Sequence, residues 1–189
     1  MNALLDAALR LQQFCQAQRW RFCFIGGIAV QRWGEPRFTQ DAGMTLLSGF
    51  GDEPEYVDKL LGTYQGRIAD AREFALRYRV LLLQDENGIP LDVALGAMPF
   101  EEHSIDRASQ YEIVSGYPLL TCAAEDLIVH KAFASRPQDW IDIESVLIRQ
   151  QGALDLEIVW AELVPLANLK EEPEIITRLR ELVDKNQSL

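Results

Sequence analysis

Residues 24–47 read FIGGIAVQRWGEPRFTQDAGMTLL, and the fold turns on how this stretch is parsed. An apolar run ends in Gly26-Gly27. A short helical piece follows over about 27–33 and stops near Gly34 and Pro36. Residues 37–47 then suit a strand, with Ala42, Met44 and Leu46 on one face and Asp41, Gly43 and Thr45 on the other. The Asp41 carboxylate therefore faces away from the core.

Upstream, Leu4, Ala8, Leu11 and Phe14 or Cys15 recur at helical spacing over residues 3–17, and a strand follows at about 21–25. Downstream, SGFGDEPEYVDKLLGTYQ reads as a loop entering a helix, with Asp52 or Glu53 near its start and Pro54 in the first turn. A second helical piece lies near 70–76. RYRVLLLQDENGIPLDVALG reads as a hairpin, with strands at 78–84 and 89–95 and a turn through residues 85–88. In its second strand Ile89, Leu91, Val93 and Leu95 share one face and leave Asp92 on the other, so two carboxylates project from strands that could be neighbours.

Beyond residue 122 the pattern is helical over about 123–135, 138–151, 155–165 and 172–186, broken by Pro137, Gly152, Pro165 and Pro173. The expected architecture is an α/β (α+β) core over residues 1–121, a mixed β-sheet flanked by helices. A helical C-terminal part over 122–189 follows without an obvious linker.

With 189 residues the chain can bury a core without disulfides. Its three cysteines, Cys15, Cys23 and Cys122, form no CxxC pair, and His103 and His130 are not spaced as ligands on one helix, which argues against zinc and against a disulfide framework. The opening MNALLDAALRLQQFCQAQ has Asp6 and lacks a basic n-region or a cleavage site. No apolar run reaches spanning length, so the expectation is a cytoplasmic protein with no membrane partner. The formal net charge of -11 is uneven: residues 1–80 hold 10 Lys+Arg against 9 Asp+Glu, and residues 81–189 hold 8 against 20. Non-specific nucleic-acid binding over the whole surface is disfavoured, and a polyanion or triphosphate would meet the first part more readily.

Four segments in order resemble a known family: IGG before a short helix, RFTQDAGMTLL, PLDVALG, and AAEDLIVHKAFASRPQDWIDIESVL. Between about residues 20 and 150 the chain resembles the minimal nucleotidyltransferases of the AbiEii type, the toxin-related branch of the polymerase-β-like superfamily. The resemblance implies an NTP substrate with Mg2+ or Mn2+ as cofactor, and an RNA or protein acceptor. It also raises the question of an antitoxin partner. In that family, aspartates at alternate strand positions and a third from an adjacent strand hold divalent ions beside the triphosphate. Carried over, Asp41 matches the first aspartate and Asp92 the third, as metal ligands and catalytic groups. Gly26 and Gly27 would bring backbone N–H groups to the phosphates, with Thr39 in the same nucleotide-binding set. Lys131 would reach the triphosphate from the helical part, supported by Arg136 and by Asp126 or Asp139.

Gly43 stands where the family's second aspartate belongs. Either Glu35 or Asp52 compensates, or the clasp is incomplete. Two classes of function thus stay open: a nucleotidyltransferase, and a non-catalytic nucleotide-binding or protein-interaction module. Plain structural readings stand beside them. Gly26-Gly27 also suits an ordinary strand-to-helix turn, Asp41 and Asp92 suit solvated strand positions, and Lys131, Arg136 and Asp139 suit ordinary helix charges. Trp33 and Trp140 are expected to pack, His130 to be structural, and Cys23 to fill the interior.

Overall fold

The computed structural model describes residues Asn2 to Gln187, and the chain divides into two compact units. One comprises Met1–Ile28 with Phe38–Cys122, the other Ala29–Arg37 with Ala123–Leu189. The helical unit thus includes a segment that the sequence boundary at 121/122 assigns to the core.

The first unit is a sheet carrying helices. Its elements are α1 (Asn2–Ala17), β1 (Phe22–Phe24), the start of α2 (Gly26–Trp33), β2 (Ala42–Leu47), α3 (Glu53–Leu61), β3 (Gln65–Gly66), α4 (Ala71–Tyr78), β4 (Val80–Gln84), β5 (Pro90–Gly96), α5 (Pro99–Asp106), β6 (Ser109–Glu112) and β7 (Pro118–Thr121). The strands form one seven-stranded sheet in the order β3-β4-β5-β2-β1-β7-β6. The β2–β5 and β1–β7 pairs are parallel and the rest antiparallel, so the sheet is mixed, as expected.

Period-two alternation decides which face is buried. Phe22 and Phe24, Ala42, Met44 and Leu46, Leu81 and Leu83, and Leu91, Val93 and Leu95 all turn to one face. Leu4, Leu5, Ala8, Leu11 and Cys15 of α1, Val57 and Leu60 of α3, and Ala71 and Ala75 of α4 join them in a single core. The opposite face is covered only in part. There α5 packs on β1 and β2, bringing Ser104 Oγ to 4.0 Å from Cys23 Sγ. Gly43, Leu82, Asp92 and Ala94 on that face are half-buried.

The helix α5 and strands β3, β6 and β7 do not appear in the sequence reading. Two residues make β3, and all four residues of β6 are exposed, so neither shows an alternating apolar pattern. The strand expected over 37–47 begins only at Ala42, because the Arg37 carbonyl accepts a hydrogen bond from the Gln31 side chain instead of entering the sheet. The first hairpin strand begins at Val80 rather than 78, since α4 runs to Tyr78 and ends at Arg79 in the left-handed region, and the second spans Pro90–Gly96.

The second unit holds the rest of α2, α6 (Ala124–Ala134), α7 (Pro137–Arg149), α8 (Leu156–Lys170) and α9 (Glu174–Gln187). Pro165 does not end its helix, contrary to expectation: α8 continues to Lys170. Val159, Leu163, Leu166 and Ala167 form one buried stripe through the proline, and this packing outweighs the hydrogen bond that proline removes. Among the described residues no helix is long and apolar enough to cross a membrane.

Candidate functional site

Asp41 lies in a bend one residue before β2 and is exposed. Thr39 Oγ1 donates to its Oδ1 at 3.1 Å. Behind this turn the backbone of α2's first residues comes close: a Cβ at Gly27 would stand 2.3 Å from Thr39 Oγ1, so only glycine fits. Gly26, at φ +61°, takes the left-handed conformation that turns β1 into α2. Immediately before it, Ile25 N–H donates to the Gly43 carbonyl at 2.9 Å. The glycine pair and Thr39 are thus local partners of the Asp41 turn.

The parallel register of β2 and β5 sets Gly43 opposite Asp92. Asp41 lies two residues earlier, roughly 6–7 Å along the strand direction. A Cβ built on Gly43 would meet nothing nearer than Ile25 Cγ1 at 3.7 Å and the Ile25 carbonyl at 3.8 Å, so the position has room for a side chain. Steric pressure is not why a carboxylate is missing there.

Asp92 already has a cationic partner in Arg67, just past β3. Its backbone N–H donates to the carbonyl of Leu82, the β4 residue paired with Asp92. From that anchor the guanidinium donates to Asp92 Oδ1 at 2.7 Å, both side chains being about one-third exposed (30% and 32%).

Asp52, weighed as a substitute ligand, stands at the N-terminal boundary of α3 beyond the far end of β2, and Glu35 belongs to the other unit. Among the described residues no group of three His, Cys, Asp or Glu side chains is placed to hold a metal ion. The residues do not fit a carboxylate clasp for divalent ions: one position is glycine, and one carboxylate is neutralised by an arginine.

In the second unit the charges form a closed cluster. Lys131 is 4% exposed. Its Nζ donates to Asp142 Oδ2 at 2.6 Å and to Asp139 Oδ1 at 3.1 Å. Asp142 also receives a two-pronged contact from Arg37, Nε to Oδ1 and an NH2 to Oδ2, both at 2.8 Å, and Gln138 Nε2 donates to it at 3.0 Å. Asp139 accepts from the Arg136 guanidinium at 2.7 Å and from the Arg136 backbone N–H at 3.2 Å, closing the N-terminus of α7. Burial alone would raise the Asp142 carboxyl, but the hydrogen bonds from Arg37 and Lys131 outweigh it and hold it at about 2. Asp139 is likewise held below the ordinary carboxylate range, the Arg136 and Lys131 contacts prevailing over burial. Next to Lys131, His130 is pushed down to about 4, by burial first and by the lysine's charge second.

The sequence argument allows Lys131 two outcomes on its apolar stripe, snorkelling or a bound anion. The structure gives a third, an anion pair from its own chain. Of the proposed supports, Arg136 and Asp139 join that cluster, and Asp126 is fully buried on α6. Asp142, Arg37 and Arg67 are missing from the sequence reading. The i,i+3 spacing of Asp139 and Asp142 on one helix face was a signal for the first. Arg37 and Arg67 are paired across 105 and 25 residues of sequence, and no local pattern announces them. Trp140 is buried, with its indole N–H donating to Ser135 Oγ at 3.2 Å, and Cys23 is fully buried.

No protein-family model and no curated protein matches the sequence. Solved structures do resemble it. An antigenic nucleotidyltransferase-like protein from Paracoccidioides brasiliensis aligns over 94% of this chain and 92% of its own, at 13% identity and a TM-score of 0.53. The antibiotic-resistance factor ANT(2'')-Ia aligns over 92% of this chain and 96% of its own, at 14% identity and a TM-score of 0.56. The fold is nucleotidyltransferase-like.

Proposed function

We propose that this protein is a non-catalytic module built on the nucleotidyltransferase fold, retaining the framework for binding but not the metal clasp of a transferase. The observation that carries the reading is the strand register: the residue beside Asp92 on β2 is Gly43, on an open face with room for a side chain. Phosphoryl-type transfer rests on positioning and on neutralising charge at the phosphates, so a missing bridging carboxylate removes the main source of rate.

The rival reading is an AbiEii-type, toxin-like enzyme that binds Mg-NTP and moves a nucleotidyl group to an RNA or protein acceptor. In its favour, Asp41 stands exposed at the mouth of β2, beside the Gly26-Gly27 turn. Incubating the protein with each labelled NTP, Mg2+ or Mn2+ and total RNA separates the two. The module reading expects no divalent-dependent label on RNA or protein, and transfer of label abolished by Asp41→Asn would establish the enzyme instead.

A further inference from the structure

In a metal-dependent site a carboxylate such as Asp92 is free to ligate an ion. Here Arg67 takes it, from a fixed anchor. The backbone of Arg67 is tied to Leu82, and Leu82 is the cross-strand partner of Asp92, so the guanidinium bridges from β3 to β5 over a single strand. The contact is a charge-assisted hydrogen bond of 2.7 Å, and each side chain is only about one-third exposed, so water screens it in part. A guanidinium remains charged at any physiological pH and is not displaced by deprotonation.

We infer that Arg67 is the resident cation of this face, occupying Asp92 in place of a divalent ion and keeping the face metal-free independently of Gly43. This deepens the module reading and rests on it. Two changes, the glycine at 43 and the arginine at 67, then block metal separately. The first removes a ligand and the second neutralises another, so reversing either alone leaves fewer than the three carboxylates that the geometry could assemble around Asp92. The consequence is a non-additive pattern of metal binding.

The test is calorimetric titration with Mn2+ alone on four forms: wild type, Gly43→Asp, Arg67→Met, and the double variant. Thermal midpoints identify any form that fails to fold, and Arg67→Gln replaces Arg67→Met in that event. The expected result is no measurable binding in the wild type or in either single variant, and binding at least about tenfold tighter in the double variant, lost again on adding Asp92→Asn. Comparable binding by Gly43→Asp alone would overturn the role of Arg67. So would Mn2+ binding by the wild type, or a folded double variant that binds no Mn2+. Binding by Gly43→Asp alone, or a folded double variant without Mn2+, overturns the role of Arg67 and leaves the module reading standing. Mn2+ binding by the wild type counts against both, and failure of the module reading by itself shows as label transfer by the wild type.

Discussion

Lys131 shows how a buried ammonium can be satisfied by its own fold. An ammonium buried on an apolar helix stripe needs a counter-charge, and α7 supplies two, Asp139 and Asp142, within one helical turn. Breaking such a buried cluster from one side leaves uncompensated charge, so Asp142→Asn should cost about 3 kcal/mol or more in urea unfolding. Removing Asp58 from its exposed pair with Arg72 should leave the urea midpoint nearly unchanged, since water and salt screen that pair. The cluster also sets an acid response. Both Asp142 and His130 have folded-state values below their ordinary ones, at about 2 against 3.8 and about 4 against 6.5. The unfolded state then binds more protons, and stability falls as pH falls. The His130 share is complete above 6.5 and declines towards 4. The Asp142 share is complete above 3.8 and is lost on the way to 2. Unfolding free energy measured against pH should decline in these two stages, and Asp142→Asn should shrink the lower one, to which Asp139 also contributes.

Among the elements, the β2–β5 pair and the β1–α2 turn make the candidate site. Both were legible in part. Alternation in AGMTLL and PLDVALG gave the core face of each strand, and with it the direction of Asp92 and of position 43, although Thr45 on that second face is buried as well. Register was not legible, since which residue sits beside Asp92 depends on pairing across almost fifty residues of chain. Nor was Arg67, because the strand it follows has only two residues. The long helices of the second unit read well from periodicity and punctuation. Pro165 misled because a local breaker was overruled by tertiary packing. The turn itself is tightly built. Gly27→Ala would drive a methyl into Thr39, displacing its hydroxyl from Asp41, at a cost of about 1–3 kcal/mol. Adding Thr39→Ala should recover only part of the loss in thermal midpoint, since the Thr39 Cβ still lies 2.8 Å from the new methyl.

At the scale of the whole chain, the fold is nucleotidyltransferase-like, while charged groups that the resemblance assigns to the site are engaged within the chain itself. The Gly26-Gly27 turn opens α2 and Asp41 lies one residue before β2, yet three positions to which the resemblance assigns charge at a metal-bound triphosphate are otherwise disposed. Position 43 is glycine, Asp92 is paired with Arg67, and Lys131 is enclosed by Asp139 and Asp142. A sequence motif reports which residue types are present, whereas their partners follow from long-range pairing. The segment Ala29–Arg37 makes the same point: it sits between two strands in sequence, but through Arg37 and Asp142 it belongs with the helices.

The most direct measurement is a crystal structure of the wild-type protein soaked in Mn2+, with data collected for the anomalous signal of manganese. The account predicts no anomalous peak at the Asp41–Asp92 face and the Arg67 guanidinium still on Asp92. A manganese peak coordinated by Asp92, with Arg67 swung away, would contradict it.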